Sequence, residues 1–440
     1  MKLFDFSLKL NGFPIKAARE ELKVIQSKHE LVFNEFVTNK KKEILKFHLK
    51  HNPFYQSLVG DMEFSNWNDV PVMTKRDLQQ PLVKRLSTGF SENKVYVNKT
   101  SGSSGDPFIF AKDTYCHAMT WAVIQNRFGW YGLDFNSSKQ ARFYGTPLEM
   151  AGYYKERIKD YFGNRYRFSV FDLGEVAFER CLMVFKKTKF DYINGYTSSI
   201  VQFAKFLRQK DLILKQDCPT LKVCIVTSEM LFEDDKQLME AQFGVPVVNE
   251  YGASELDLIA FQNPNDEWQL NSETLYVEIL DEHNTALPNG KEGRVVITSL
   301  YNRAHPFVRY DIGDIGVLSE AGTTKKPILK KLTGRTNDIV HLPSGKKAAG
   351  LTFYYITKSV IEKDRNVKEF VIQQHRKDFF KIKYVSLERL HKETMKTIKN
   401  AIERYLETGL TVEFEKIENL KRSKSGKLKQ FTSLIKTEDQ

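Results

Sequence analysis

The chain is poor in cysteine: Cys116, Cys181, Cys218 and Cys224 are its only four in 440 residues, and no two form a Cys-x-x-Cys pair. That usage argues against a disulfide framework and a structural zinc cluster, and suits a reducing, cytoplasmic setting. No apolar run reaches the roughly 18 residues of a membrane span. The opening Met1-Lys2-Leu3-Phe4-Asp5 lacks the apolar core of a signal peptide. No Gly-Lys-Ser or Gly-Lys-Thr closes a glycine loop, which excludes the common nucleotide-binding P-loop. Internal repeats and low-complexity tracts are absent as well.

What is present is an ordinary globular composition, 41% hydrophobic and 28% charged, with length for two or three domains. Basic residues exceed acidic ones by 67 to 55, a formal charge of +12. The excess lies in short clusters such as Lys40-Lys41-Lys42, Lys186-Lys187 and Lys421-Arg422. No stretch interleaves basic residues with stacking aromatics, so nucleic acid is not an expected partner. Anionic small molecules, or plain solvation, account for the charge equally well.

Apolar spacings of three and four residues predict helices over residues 20–31 and 42–51, the second ended by Asn52-Pro53. Thr74, with Asp77 behind it, has the pattern of a helix cap. Over residues 107–250 buried strands, at 108–111, 141–145, 221–226 and 244–248, alternate with helices at 200–210 and 232–243. That alternation predicts a layered α/β domain. From residue 270 the period becomes two, with strands at 275–280 and 293–298 around the turn Pro288-Asn289-Gly290. Beyond residue 335 a strand, a hairpin over 369–374 and 379–385, a helix carrying Met395, Ile398 and Ile402, and a strand over 410–414 predict a small α+β domain.

Five segments carry candidate chemistry. Thr100-Ser101-Gly102-Ser103-Ser104-Gly105-Asp106-Pro107 combines hydroxyls with glycines, which turn backbone N–H groups toward an anion; it also suits a flexible connector. Asn249-Glu250-Tyr251-Gly252-Ala253-Ser254-Glu255 follows a buried strand, where an aromatic, a hydroxyl and a carboxylate suit a base, a phosphate and Mg²⁺, or a simple strand-end turn. Arg309-Tyr310-Asp311-Ile312-Gly313-Asp314-Ile315-Gly316 offers carboxylates beside glycines, for a ribose or for an exposed turn. Leu332-Thr333-Gly334-Arg335-Thr336-Asn337-Asp338-Ile339 falls at the domain junction, and Arg422-Ser423-Lys424-Ser425-Gly426-Lys427-Leu428-Lys429 is a basic loop near the C-terminus.

In this order the five segments strongly resemble the adenylate-forming (AMP-forming) acyl ligase superfamily, which includes acyl-CoA synthetases, peptide-synthetase adenylation domains and luciferases. Asn52-Pro53-Phe54-Tyr55 and Val70-Pro71-Val72-Met73-Thr74-Lys75 are similar to the phenylacetate–CoA ligase branch, especially its capsular-polysaccharide relatives. The resemblance implies an adenylation domain over residues 1–334, of layered α/β sheets plus a β subdomain, and a small mobile α+β lid over residues 335–440.

By the same resemblance, Thr100, Ser101, Gly102, Ser103, Ser104 and Gly105 embrace the β- and γ-phosphates of ATP, with Asp106 where relatives carry lysine. Ser228 and Glu229 line the adenine pocket, with Ser228 in place of the usual glycine. Asn249, Glu250, Tyr251 and Gly252 complete the ATP site, Tyr251 stacking on adenine. Ser254 contacts the α-phosphate and Glu255 holds Mg²⁺. Asp314 binds ribose, Arg335 makes a second ribose or phosphate contact, Asn337 is the hinge, Gly345 lets a pantetheine thiol approach, and Lys427 serves adenylation. Some phenylacetate-ligase relatives place a Cys/His zinc site after the second segment; Phe261-Gln262-Asn263-Pro264-Asn265-Asp266-Glu267-Trp268-Gln269 has neither residue, so no zinc is expected. Phe143, Tyr144, Tyr196 and Trp121 are candidates for an aromatic-acid pocket or for core.

The implied reaction joins a small carboxylic acid to ATP as an acyl-adenylate, releasing pyrophosphate. Transfer follows to a thiol, foremost coenzyme A, or alternatively to an amine of an amino sugar or amino acid in surface-polysaccharide synthesis, or to a carrier-protein arm. A non-catalytic nucleotide-binding scaffold is the rival class, against which Lys427, Glu255 and Asp314 stand.

Overall fold

The computed structural model describes residues 3–60, 64, 66–100, 108–144, 150–170, 173–335, 339–345, 347–349, 357, 367–422 and 428–435. The chain divides into two compact units, Met1–Ile312 with Val317–Lys331, and Gly313–Gly316 with Leu332–Gln440. No described helix is long and apolar enough to cross a membrane.

The strands are, in chain order, β1 (Tyr96–Lys99), β2 (Ile109–Lys112), β3 (Gln140–Phe143), β4 (Arg165–Phe168), β5 (Tyr192–Tyr196), β6 (Val223–Thr227), β7 (Val247–Ala253), β8 (Asp257–Gln262), β9 (Trp268–Leu270), β10 (Leu275–Leu280), β11 (Glu292–Ser299), β12 (Tyr310–Leu318), β13 (Leu329–Arg335), β14 (Ile339–His341), β15 (Lys347–Ala349), β16 (Val367–Arg376), β17 (Phe379–Ser386), β18 (Thr411–Lys416) and β19 (Phe431–Ser433).

The first unit is built on a seven-stranded sheet of order β4-β3-β5-β6-β7-β8-β9. Strands β4 to β7 run parallel, and β8 and β9 add antiparallel. Parallel strands are covered on both faces, which is why β5 and β6 are buried along their whole length. On one face the helices Glu175–Lys187, Thr197–Gln209 and Glu233–Phe243 close a phenylalanine-rich core of Phe143, Phe168, Phe185, Phe203, Phe206 and Phe243. Each such ring contributes about 1.5–3 kcal/mol by leaving water. The other face packs on the helices Ile15–Ser27 and Thr114–Gly129. A second sheet has the order β10-β11-β12-β13.

The N-terminal helices run Ile15–Ser27 and Glu30–His51, broken at the extended residues Lys28 and His29. The second stops at Asn52, whose side chain accepts the Tyr55 N–H (2.7 Å) and so starts Pro53–Val59. Asp77 takes hydrogen bonds from the Thr74 N–H (2.7 Å) and hydroxyl (2.8 Å), yet the segment Asp77–Gln79 makes only one 3-10 turn. Pro81 follows, and the residue before a proline is pushed out of helical conformation.

One long-range clamp ties this N-terminal region to the second sheet. Arg309, fully buried, donates to the carbonyls of Asn68 (2.8 Å), Val70 (2.7 Å) and Asn284 (3.0 Å). Met73 pairs with Tyr310 as an isolated parallel bridge beside it.

In the second unit β16 and β17 form an antiparallel hairpin, flanked by β18 parallel to β17 and β19 parallel to β16. Alternation buries Phe370 and Ile372 on β16 and Phe380, Ile382 and Tyr384 on β17. The helix Lys392–Tyr405 buries Ile398 and Ile402, one turn apart. β14 pairs with β15 through a turn in which Gly345 has φ +82°. Gln374 is buried and holds β14 from both sides, accepting the His341 N–H (3.2 Å) and donating to its carbonyl (2.7 Å).

Candidate active site

Residues 249–253 were expected at a strand end; they are instead the body of β7, which runs to Ala253 and turns directly into β8. The turn is closed by the Leu256 N–H bonding the Ala253 carbonyl (3.1 Å). A bulge between Tyr251 and Gly252 makes the tight return possible. A Cβ on Gly252 would lie 2.6 Å from the Asp257 carbonyl oxygen, so only glycine fits there. Gly252 misreads the segment because glycine marks bulges and loops alike.

This hairpin presents Ser254 exposed and Glu255 buried, side by side beyond the carboxyl end of β7. Open α/β sheets bind ligands at that end. The buried Tyr310 hydroxyl donates to the Glu255 carboxylate (3.0 Å), fixing its direction. Two residues on, Asp257 pairs with Lys112 at the end of β2. Lys112 is almost fully buried; burial pulls its ammonium down to about 8, against the attraction of nearby anions that include Glu255. Tyr251 is buried and meets Trp268 edge to face, 5.9 Å between centroids. Asn249 and Trp268 line a cavity of about 390 Å³ together with Leu231 and Phe232.

The neighbouring strand end supplies Thr227, Ser228 and Glu229. Ser228 has φ +70°, the left-handed region that glycine occupies without cost, which accounts physically for the usual glycine there. The Glu229 carboxylate accepts the Ser198 N–H (2.7 Å) and so caps the helix Thr197–Gln209. Glu250 pairs in register with Thr227, whose hydroxyl bonds its carboxyl. Burial pushes Glu250 above the usual carboxylate range, opposed by that hydrogen bond and the charge of Arg142.

At the glycine-rich segment, Thr100 forms the base of the loop. Its N–H bonds the Phe108 carbonyl (3.0 Å) and its hydroxyl oxygen accepts the Phe108 N–H (3.1 Å). Arg85, fully buried, braces the outgoing strand through the carbonyls of Gln80 (2.9 Å) and Ile109 (2.5 Å), with His305 on its other nitrogen. Ser101, Gly102, Ser103, Ser104 and Gly105 lie outside the described residues, as do Asn337 and Lys427. Asp314 is buried within β12, not in an exposed turn, and Asp311 pairs with Arg294 (2.7 Å). Arg335 ends β13, its side chain outside the described set. Of the candidate pocket aromatics, Phe143 is core, and Trp121 donates to His117 (3.1 Å) and packs on Phe4. Tyr144 and Tyr196 face each other at 4.6 Å.

No family model matches the chain. Protein CapK of Staphylococcus aureus is 22% identical over 334 residues, spanning 73% of this chain and 71% of that protein. A phenylacetate-coenzyme A ligase of Aromatoleum evansii is 31% identical over 129 residues, 28% of this chain and 29% of the relative. In fold, a 2-hydroxyisobutyryl-CoA ligase solved with an acyl-AMP superposes with TM-score 0.67 at 16% identity, covering 93% of this chain and 90% of the other. The chain has the fold of the AMP-forming CoA ligases. Its similarities run to the phenylacetate–CoA ligase-like branch.

Among the anticipated residues, Tyr251, Ser254 and Glu255 share one hairpin, Ser228 and Glu229 follow the end of β6, and Glu250 within β7 pairs with Thr227 beside them. Three supporting residues were given no role by the sequence, although Tyr310 lies within the third candidate segment. Lys112 and Tyr310 act on the Glu255 turn from residues far away in sequence, and Arg142 stands among many surface-like arginines until the register of β3 is known.

Proposed function

We propose that the chain is an ATP-dependent, AMP-forming carboxylate ligase that makes an acyl-adenylate and pyrophosphate, then passes the acyl group to a thiol, coenzyme A. The observation that carries this reading is Glu255: a buried carboxylate, oriented by the Tyr310 hydroxyl, on the turn beyond β7 and next to exposed Ser254. Among the described residues no group of three or more His, Cys, Asp or Glu side chains could cage a metal alone. One carboxylate is what Mg²⁺ needs when substrate phosphates supply its other ligands. Glu255 would hold it, and the bound ion would supply positive charge against the phosphate oxygens.

The chain's own residues do the rest. A carboxylate attacking the α-phosphorus brings two anions together, so the barrier is largely electrostatic. Ser254 and the N–H groups of residues 101–105 donate to phosphate oxygens, and Lys427 brings an ammonium to the forming bond. Removing one such contact costs about 3–4 kcal/mol of transition-state stabilisation. Withdrawal of Lys427 by rotation about Asn337 would then admit the acceptor.

The test is acid-dependent ATP–pyrophosphate exchange across a broad panel of acids, followed by mass spectrometry with coenzyme A or amines added. A thioester supports the thiol acceptor; an amide in its place moves the reading to an amide ligase. Lys427→Ala should abolish exchange and spare transfer from preformed acyl-adenylate. Equal loss of both steps overturns the two-conformation scheme.

A further inference from the structure

At the β3–β4 edge of the seven-stranded sheet three arginines come together, and two of them are neutralised. Arg167 on β4 binds both carboxylate oxygens of Asp160 (2.9 Å each) and one of Glu156 (2.7 Å). Arg165 pairs with Asp160 (3.1 Å) and donates to the Lys159 carbonyl (3.0 Å). Arg142 on β3 lies in register with Arg167 on one side and Asn194 on the other. Neither neighbour serves it: Arg167 is a cation, and Asn194 is engaged by Gln140 (3.0 Å) and the Ile225 carbonyl (3.2 Å).

Arg142 accordingly makes no hydrogen bond and no ion pair among the described residues, and its Nε is buried without an acceptor. Its guanidinium stacks on Tyr144, 4.0 Å from the ring centroid. Glu250 is close enough to feel the charge, but its carboxyl is engaged by the Thr227 hydroxyl. Buried polar groups are nearly always satisfied, so a half-buried arginine held flat on an aromatic ring, its Nε buried without an acceptor and its fork paired with no described carboxylate, marks a place where a planar anion fits. Its position at the penultimate residue of β3, toward the carboxyl end of the parallel strands, puts that place on the ligand side of the sheet.

We propose that Arg142, backed by Tyr144, receives a second carboxylate carried by the acid substrate, distinct from the one that is activated. A planar fork matched to a planar carboxylate is the pairing arginine makes best. Identification of the ligand as substrate rests on the ligase reading above; the guanidinium's preference for a dianionic acid does not.

The test is calorimetric binding to the full chain of acids paired by one added carboxylate: propionate with succinate, butyrate with glutarate, benzoate with isophthalate and terephthalate. A charge-assisted bidentate pair is worth roughly 10- to 100-fold in affinity, so at least one dianion should exceed its partner by that ratio. Arg142→Leu should collapse the ratio to near one, and Arg142→Lys, which keeps the charge and loses the fork, should retain part of it. Circular dichroism of both variants checks that they fold. No preference in any pair, a ratio that survives Arg142→Leu, or equal loss for both members of a pair overturns the proposal. Pyrophosphate exchange with the same acids reads the ligase activity separately: selective binding without exchange removes the ligase reading and leaves the Arg142 assignment standing.

Discussion

The Arg127–Glu273 pair, away from the proposed chemistry, makes a sharp test of how the first unit is held. Both side chains are buried, at 1% and 6% exposure, with Arg127 Nη2 2.5 Å from Glu273 Oε2. Gln26 donates to the other carboxylate oxygen (2.8 Å) and Asn126 accepts from Arg127 (2.7 Å). The two truncations are not equivalent. Glu273→Gln strands a guanidinium that cannot lose its proton, and should cost about 3–5 kcal/mol. Arg127→Met strands a carboxylate that can escape by taking up a proton. From an ordinary value of 4.5 that escape is limited near pH 7 to about 3 kcal/mol.

The pH dependence separates them further. In the wild type burial raises the Glu273 pKa, but the charge and hydrogen bond of Arg127, with the Gln26 amide, hold it below 4.5 overall. Its contribution is therefore complete above pH 4.5 and is lost as pH falls through the lower folded value. In Arg127→Met only burial is left, the folded value rises above the unfolded one, and the variant should gain stability as pH falls from 7 toward 4.5. The double change Arg127→Met with Glu273→Leu should recover most of the loss, because no charge is left behind. Urea unfolding followed by tryptophan fluorescence, with Trp130 stacked on Arg127 at 4.6 Å, reads all three. Losses under about 1 kcal/mol in both single variants, or identical pH slopes, would refute the reasoning.

Three further outcomes follow from the site. Tyr310→Phe removes the hydrogen bond to Glu255 and should cost about 1.5–3 kcal/mol, seen partly in thermal unfolding and partly as a higher Mg²⁺ requirement in pyrophosphate exchange; unchanged metal dependence counts against Glu255 as the metal carboxylate. Gly252→Ala drives a methyl into the Asp257 carbonyl and should lower stability by about 1–3 kcal/mol, whereas Gly89→Ala, with open space around it but φ +89°, should cost only the backbone strain of about 1–2 kcal/mol. Ser228→Gly should be tolerated or stabilising by up to about 1 kcal/mol, while Ser228→Val destabilises by at least that much; the reverse order in melting temperature would show that the φ of +70° is not what restrains this position.

Much of the architecture is legible in the sequence because it rests on periodicity. The strand expected over residues 275–280 is β10, and the hairpin expected at 369–374 and 379–385 is β16 with β17. What periodicity misreads is any strand whose residues carry turn chemistry. Residues 249–253 and 310–316 contain glycine, asparagine and aspartate that signal loops, yet both lie in strands because neighbouring strands pair with them. Strands β4 and β5 go unseen for a related reason: the arginines of β4 and the Asn194-Gly195 of β5 do not read as a buried strand. At the site the motif residues were readable by order, but their supports were not. Nothing local to Glu255 announces Tyr310 or Lys112, and nothing local to Glu229 announces that it caps a helix starting 32 residues earlier.

The clamp of Arg309 on the Asn68 and Val70 carbonyls sets a timetable for synthesis. Val70 emerges from the ribosome 239 residues before its partner does. At about 5–20 residues per second that is a wait of roughly 12–50 seconds. Through that interval the Met73 bridge is unmade and the Tyr310 hydroxyl that aims Glu255 does not yet exist. The Glu255 carboxylate thus gains the hydrogen bond that aims it only late in the birth of the chain, 55 residues after its own synthesis.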